Sequence, residues 1–330
     1  MKKKILSFMV LAVAACISVG CANNNAKKEG NGGESANSDY PKKPIQLIVP
    51  YAAGGGTDTV ARAIGNEVQN ELGQSVAVQN VTGGSGAVGF QQGINSKADG
   101  YTLTMTTVEL LTLPQLGVSN FKYTDFRPIA LLNKDPAAIT VRADAPWDTI
   151  EDFIEYAKKN DVKVGNSGVG AIWHMAAIAF QNETGAKFVH TPYDGAAPAV
   201  TALLGGHVDA VTVSPGEVYT QVQSGDFKVL AVMSDERVKQ LPDVPTLKEK
   251  GIDLSIGTWR GICVPKETPD DICSKLEGAF TKASETDAYK STLEKLNLGY
   301  ASMKSEEFGK FMEQQNIQFE ELSKSIDINK

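Results

Sequence analysis

Three consecutive glycines, Gly54 to Gly56, stand between a short apolar run and a helical pattern, and this junction constrains the fold more than any other part of the chain. Residues 44–65 read PIQLIVPYAAGGGTDTVARAIG. Ile45, Leu47, Ile48 and Val49 have strand character, Pro50 stops the run, and from Thr57 apolar residues recur at helical spacing. A strand, a bare turn and a helix start leave the first helical N–H groups without intrahelical partners, at the positive end of the helix dipole. Glycine lets a ligand come close to them. An anion can be held this way with no catalytic side chain. An ordinary βα turn uses the same residues, so the choice between the two depends on a second loop.

That loop is at residues 162–175, VKVGNSGVGAIWHM. A short strand ends at Gly165, and Asn166, Ser167, Gly168 and Gly170 lead into a helix. Ser167 serves either as an N-cap or as a hydroxyl donor to a ligand oxygen. Strand patterns at 45–49, 75–80, 101–106, 138–141, 162–165, 208–213, 228–233 and 261–264 alternate with helical ones, predicting an α/β fold with mostly parallel strands. The prolines and charges of 133–146 mark a passage into a second domain, and 255–260 marks the return. The expected organisation is a leader at 1–20, a flexible tether at 21–40, a discontinuous first domain at 41–140 and 258–330, and an inserted second domain at 141–257. The two loops then form the two lips of a cleft.

The N-terminus places the protein outside the cytoplasm. Lys2 to Lys4 and the apolar stretch Ile5–Ala15 form a secretory leader too short to span a bilayer. VAAC ends at Cys16 and SVGC at Cys21; the polar stretch ANNNAKKEGNGGESANSD that follows favours Cys21 as the lipidated residue. The expectation is an extracytoplasmic protein, in the periplasm or on the outer face of the membrane, held by an N-terminal lipid. The leader holds three lysines and no acid, so the remainder carries 29 bases against 39 acids, a formal charge of −10. That excludes nucleic acid as a partner, and any attraction for an anion has to be local.

Other chemistries have weaker support. Gly84–Gly89, GSGAVG, matches a dinucleotide fingerprint, with Glu109 near the distance at which that motif places an acid. Thr82 and Gly83 lengthen the turn beyond the tight form the motif needs. No metal-ligand spacing joins His174, His190 and His207, and neither a metal nor another cofactor is expected. A secreted hydrolase would have to pair Ser167 with His174, with no evident acid partner. Asp58 and Arg62 stand four apart on a helix as an ion pair. Asp58 would oppose a bound carboxylate unless it holds its own loop or meets a ligand amine. Cys263 and Cys273 are compatible with a disulfide or with two buried thiols.

Several motifs in fixed order resemble the extracytoplasmic solute-binding proteins of the tripartite tricarboxylate transporter family. They are YPKKPIQLIVPYAAGGGTD, NVTGGSGAVG, ADGYTL, FRPIA, GNSGVGAIWHM, HTPYDGAAPAVTALLGGHVDA, LPDVPTLKEKG and TWRGICVPKETPDDI, from Tyr40 onward. The resemblance implies a two-domain, periplasmic-binding-protein-like α/β fold (type II-like) that closes on a small di- or tricarboxylate or a related organic or amino acid. It also implies no enzymatic activity, and delivery to integral membrane subunits on other chains; the receptor itself is expected to be monomeric. Carried onto this chain, the ligand residues are Tyr51, Gly54, Gly55, Thr57 and Asp58 in the first loop. Asn166, Ser167, Gly168 and His174 belong to the second, with Tyr193, Asp194 and Ser214 at the far end of the cleft. Asp194 departs from the family, where lysine is frequent, and Ala52–Ala53 replace common prolines. A sensor that hands its closed form to a receptor would look the same in sequence.

Overall fold

The computed structural model describes residues 39–325. The leader, Cys16 and Cys21 lie outside the described residues. The chain runs β1 (Ile45–Val49), α1 (Gly56–Leu72), β2 (Val76–Asn80), α2 (Ala87–Ile94), β3 (Thr102–Thr107), α3 (Glu109–Gln115) and β4 (Phe126–Arg142). It continues through α4 (Ile150–Lys159), β5 (Asp161–Asn166), α5 (Ile172–Thr184), β6 (Lys187–Pro192), α6 (Ala196–Leu204), β7 (Ala210–Val213), α7 (Pro215–Ser224) and β8 (Phe227–Met233). It ends with β9 (Gly257–Pro265), α8 (Asp270–Glu285), α9 (Asp287–Lys295), β10 (Tyr300–Lys304) and α10 (Ser305–Ser325).

The strands join in the order β2-β1-β3-β9-β4-β7-β5-β6, with β8 and β10 also on β4. β4 is the common member. Its residues 126–136 pair with β9, and residues 137–142 pair with β8. Residues 138–141 of the same strand pair with β7. The expected passage at 133–146 is therefore mostly strand. Pro136 is tolerated because it sits where β4 exchanges one set of partners for another, and its missing N–H breaks no ladder. Pro128 falls at a shift of register, where a bulge leaves a residue unpaired.

Parallel pairing holds for β1 with β2 and β3, and for β5 with β6 and β7. The centre of the sheet is antiparallel, contrary to the expectation of mostly parallel strands. The reason is connectivity: β4 leaves the first half of the sheet, β9 re-enters alongside it, and the two must run in opposite directions.

Each half of the sheet has its own helical cover. In the first half, Ile45, Leu47 and Val49 of β1 pack with Ile64 and Val68 of α1 and with Leu276 and Phe280 of α8. In the second, Phe153 of α4, Phe180 of α5 and Phe188 of β6 form an aromatic cluster with ring centroids 5.7–6.3 Å apart. Each such fully buried side chain contributes roughly 1.5–3 kcal/mol. Thr149 caps α4 by accepting the Asp152 N–H at 3.1 Å. At the N-terminal edge, Tyr40 is buried and donates to the Gly100 carbonyl at 2.6 Å. Cys263 and Cys273 are free, buried thiols.

Candidate functional site

Two parallel pairs of strands, β1 with β3 in one half and β5 with β7 in the other, end at a common crevice. Open α/β sheets bind ligands outside the carboxyl ends of such strands. The crevice is lined by Tyr51 and Gly55–Thr57 after β1, Thr107 and Glu109 at the end of β3, and Ser167 and Trp173 after β5. Glu217 after β7 and Thr258 and Arg260 of β9 complete it. Its free volume is about 20 Å³, room for about one water molecule. A wider groove of about 450 Å³ lies beyond Asp135, between Val238–Gln240 and Asn297–Tyr300, away from these strand ends.

The two halves clasp each other through carboxylates. Gly56, at the start of α1, donates its N–H to Glu217 Oε1 at 3.0 Å. Ile172, at the start of α5, donates its N–H to Glu109 Oε1 at 2.9 Å. Each half thus lends an acid to the helix start of the other, where the dipole favours negative charge. At the rim, Ser85 Oγ donates to the Val169 carbonyl at 2.6 Å, and the Ala52 N–H donates to the Asp194 carbonyl at 3.2 Å.

Arg260 is the hub beneath the clasp. Its Nε donates to Thr57 Oγ1 at 3.1 Å, and its Nη1 donates to Asn133 Oδ1 and Asp135 Oδ2. Its Nη2 lies 3.5 Å from Glu217 Oε1. Arg260, Asp135 and Glu217 are all buried. Burial raises the pKa of Glu217 even though Arg260 and the Ser214 and Gly56 N–H groups pull it down. Burial, and then the Glu109 carboxylate, raise the Tyr51 phenol well above its ordinary value. Glu109 takes hydrogen bonds from Ile172 N and Thr107 Oγ1 and, among the described residues, has no ion-pair partner.

The residues expected from sequence are spread over three layers. Tyr51, Gly55, Thr57 and Ser167 border the cavity. Ser167 Oγ and Asn166 Nδ2 are buried without a partner, while Asn166 Oδ1 accepts from Gly168 N at 3.1 Å. Among the described residues the N–H groups of Gly55 and Thr57 also lack a protein acceptor. Gly168, Tyr193 and Asp194 line a separate open groove of about 550 Å³ with Ser85 and Val169.

Gly54 and Asp58 brace the first loop. Asp58 accepts from Gly54 N at 3.0 Å, Arg62 Nε at 2.9 Å and Asn80 Nδ2 at 3.0 Å. Burial works against ionising this acid, but those bonds outweigh it and hold its carboxyl below the usual range. Ser214 stands behind Glu217, donating to Oε2 through N at 3.0 Å and Oγ at 3.1 Å.

His174 turns back onto its own loop. Its Nδ1 accepts from Gly170 N at 3.1 Å, and its ring meets His190 edge-on at 4.7 Å. Burial, then His190, push it down to about 4. No hydrogen bond joins it to Ser167, so the pair required by a hydrolase does not form. The glycines of GSGAVG are explained by packing: a Cβ on Gly89 would lie 2.8 Å from Pro50 Cα, and one on Gly86 3.0 Å from the Tyr51 hydroxyl. Among the described residues no cluster of His, Cys, Asp and Glu has the makings of a metal site.

Gly56, Thr107, Trp173, Glu217, Thr258 and Arg260 were not anticipated as site residues, and Glu109 was considered only for a dinucleotide site. A signal existed for two of them. Glu217 follows Ser214 at capping-box spacing, and Arg260 is a lone charge within the apolar run of β9.

Residues 60–328 match the family described as "Tripartite tricarboxylate transporter family receptor". The chain belongs to that family. A TctC solute-binding protein from Polaromonas, solved with no ligand, is 47% identical, with a TM-score of 0.65 over 87% of this chain and 100% of that one. The periplasmic binding protein BugD is 33% identical, with a TM-score of 0.84 over 87% of this chain and 98% of that one. An R. palustris protein solved with adipate is 25% identical, with a TM-score of 0.83 over 87% and 98%. This TctC-family chain is accordingly a periplasmic solute-binding receptor with a mixed α/β periplasmic-binding-protein fold, and not an enzyme.

Proposed function

We propose that this receptor captures a small carboxylate-bearing solute between two lobes, residues 41–140 with 258–330 and residues 141–257, and delivers it to integral membrane subunits of a tripartite transporter. The observation that carries this is the pair of helix-start loops facing one cavity, with Ser167 Oγ and Asn166 Nδ2 buried and unpartnered and the Gly55 and Thr57 N–H groups unfilled. Buried polar groups normally have partners, and a carboxylate accepts from all of these donors. Asn166, Ser167, Gly55, Thr57 and Tyr51 make up the inner ligand set; Gly168, Tyr193 and Asp194 line the separate groove. Gly54, Asp58, His174 and Ser214 keep the two loops in shape.

The cavity is too small for such a solute, so entry requires the rim and clasp bonds to open. The hinge is β4 near Pro136 and the adjacent return at Ile256, which are tied by the Ala137 N–H to the Ile256 carbonyl at 2.9 Å. The relatives support a motion of this kind. The Polaromonas protein is nearer in sequence than the adipate-bound protein yet farther in shape. Rotating intact lobes produces that pattern, whereas sequence drift alone does not.

Titration calorimetry with di- and tricarboxylates, amino acids and aromatic acids tests the reading. Binding of an anion, weakened about tenfold or more by Ser167→Ala because a hydrogen bond to a charged group is lost, is the expected result. Tight binding of a neutral sugar or a metal with no anionic ligand overturns it. Lipid attachment at Cys21 belongs to the same proposal; Cys21→Ser should release the protein from the membrane fraction, and Cys16→Ser should not.

A further inference from the structure

The acids that clasp the cleft also restrict what the cleft will accept. Beneath the helix starts lie three buried carboxylates, Glu109, Glu217 and Asp135, and one guanidinium, Arg260. Arg260 is already engaged by Thr57, Asn133, Asp135 and Glu217. Glu109 borders the cavity at 2% exposure; it accepts from Ile172 N and Thr107 Oγ1, stands in the first turn of α3 beside Tyr51, and has no ion-pair partner among the described residues. Helix starts supply partial charges and not a counter-ion, so Glu109 stands at the wall of a largely buried site as a carboxylate with no cation paired to it. A solute bearing carboxylates alone would set like charges together where screening is weakest.

A second, independent feature lies at the same cavity. Ser167, 4% exposed, and Asn166, fully buried, each keep a polar atom without a partner in the loop bordering the cavity. These donors, with the Gly55 and Thr57 N–H groups, suit one carboxylate. Tyr51 and Trp173 line the same cavity as Glu109, and an aromatic ring face attracts a cation.

We propose that the solute carries a cationic nitrogen as well as its carboxylate, the nitrogen against Glu109 between Tyr51 and Trp173, the carboxylate at Ser167 and the α1 start. The cleft is thus built for an amino acid or a close zwitterionic relative rather than for an unsubstituted di- or tricarboxylate. This rests on the carboxylate-capture function proposed above and narrows it.

The test is calorimetry on the mature chain, stripped of co-purified solute by unfolding and refolding. The probes are the proteinogenic amino acids and the straight-chain mono- and dicarboxylates of matched carbon number. The expected result is that the best amino acid binds about tenfold or more tightly than its deaminated counterpart. In Glu109→Gln, which keeps an acceptor for the Ile172 N–H, that ratio should fall to about one. A residue with a merely structural role would weaken both classes alike and leave the ratio unchanged, which would overturn the assignment of Glu109. Equal or tighter binding of the deaminated acids by the unsubstituted chain overturns the amine inference and leaves carboxylate capture standing. Failure of every carboxylate overturns both. The ratio in the unsubstituted chain decides the matter even where the variant does not fold.

Discussion

Replacing Arg260 by methionine should be among the most damaging single changes in this chain. The guanidinium is 1% exposed and serves four acceptors, two of them carboxylates that are themselves 2% and 4% exposed. Methionine fills a similar volume but leaves Asp135 and Glu217 buried without a counter-charge, and Thr57 Oγ1 and Asn133 Oδ1 without a donor. Breaking a buried ion pair from one side costs about 3–5 kcal/mol. A typical domain has only about 5–15 kcal/mol in total. Urea unfolding followed by tryptophan fluorescence measures the loss directly, because Trp259 is the neighbouring residue on β9. The triple variant Arg260→Met with Asp135→Asn and Glu217→Gln provides the control. Removing the stranded charges should recover most of the lost stability. A loss below about 1 kcal/mol in the single variant, or no recovery in the triple, would refute Arg260 as the neutralising centre of the cleft floor.

Three further outcomes follow from the same geometry. Gly56→Ala would bring a Cβ to 2.5 Å from Arg260 Nη2 and 2.9 Å from Glu217 Oε1. Both side chains are tethered, so overpacking of about 1–3 kcal/mol and loss of ligand binding are expected in unfolding and calorimetry. Ser85→Ala removes the rim bond to Val169; a hydrogen bond worth about 0.5–1.5 kcal/mol in the closed form should weaken solute affinity by roughly 2- to 12-fold, with unfolding of the lobes unchanged. His174 is held neutral, its pKa lowered from 6.5 to about 4. The folded state therefore binds fewer protons than the unfolded state in that window, and stability present above pH 6.5 is lost as pH falls toward 4. From pH 7 to 5 the loss is about 2 kcal/mol. His174→Asn, which keeps an acceptor for the Gly170 N–H, should flatten that part of the melting-temperature profile.

Much of this fold follows from local pattern. The strand-to-helix junctions at Gly54–Gly56 and Asn166–Gly170 are local events, legible because glycine, the apolar run and the helical period fall within one short window. The strand β6, KFVHTP, leaves Val189 exposed and shows no continuous apolar run, and β10, YASMK, is half-exposed. Neither carries a period that stands out from loop. The length of β4 was hidden by Pro128 and Pro136, which mark interruption in a sequence but here occupy a register shift and a change of partners. Partnership over long separations was hidden altogether. Glu217 meets Gly56 across 161 positions, and Glu109 meets Ile172 across 63. A glutamate inside a helical first turn looks like a dipole partner for its own helix. Only the folded chain reveals that each of these two acids serves the other half of the sheet.

The pairing of β4 with β9 has a mechanical consequence. Two antiparallel strands joined edge to edge make a ribbon that bends readily out of its own plane and resists being stretched or sheared along its length. The halves are joined just past the end of this ribbon, where Ala137 and Ile256 run side by side, and a hinge there would confine them to a single path, as a door is confined on a piano hinge. A membrane subunit touching both halves would then read one angle, and every solute that brings that angle to its closed value would give the same signal, whatever its chemistry within the cleft.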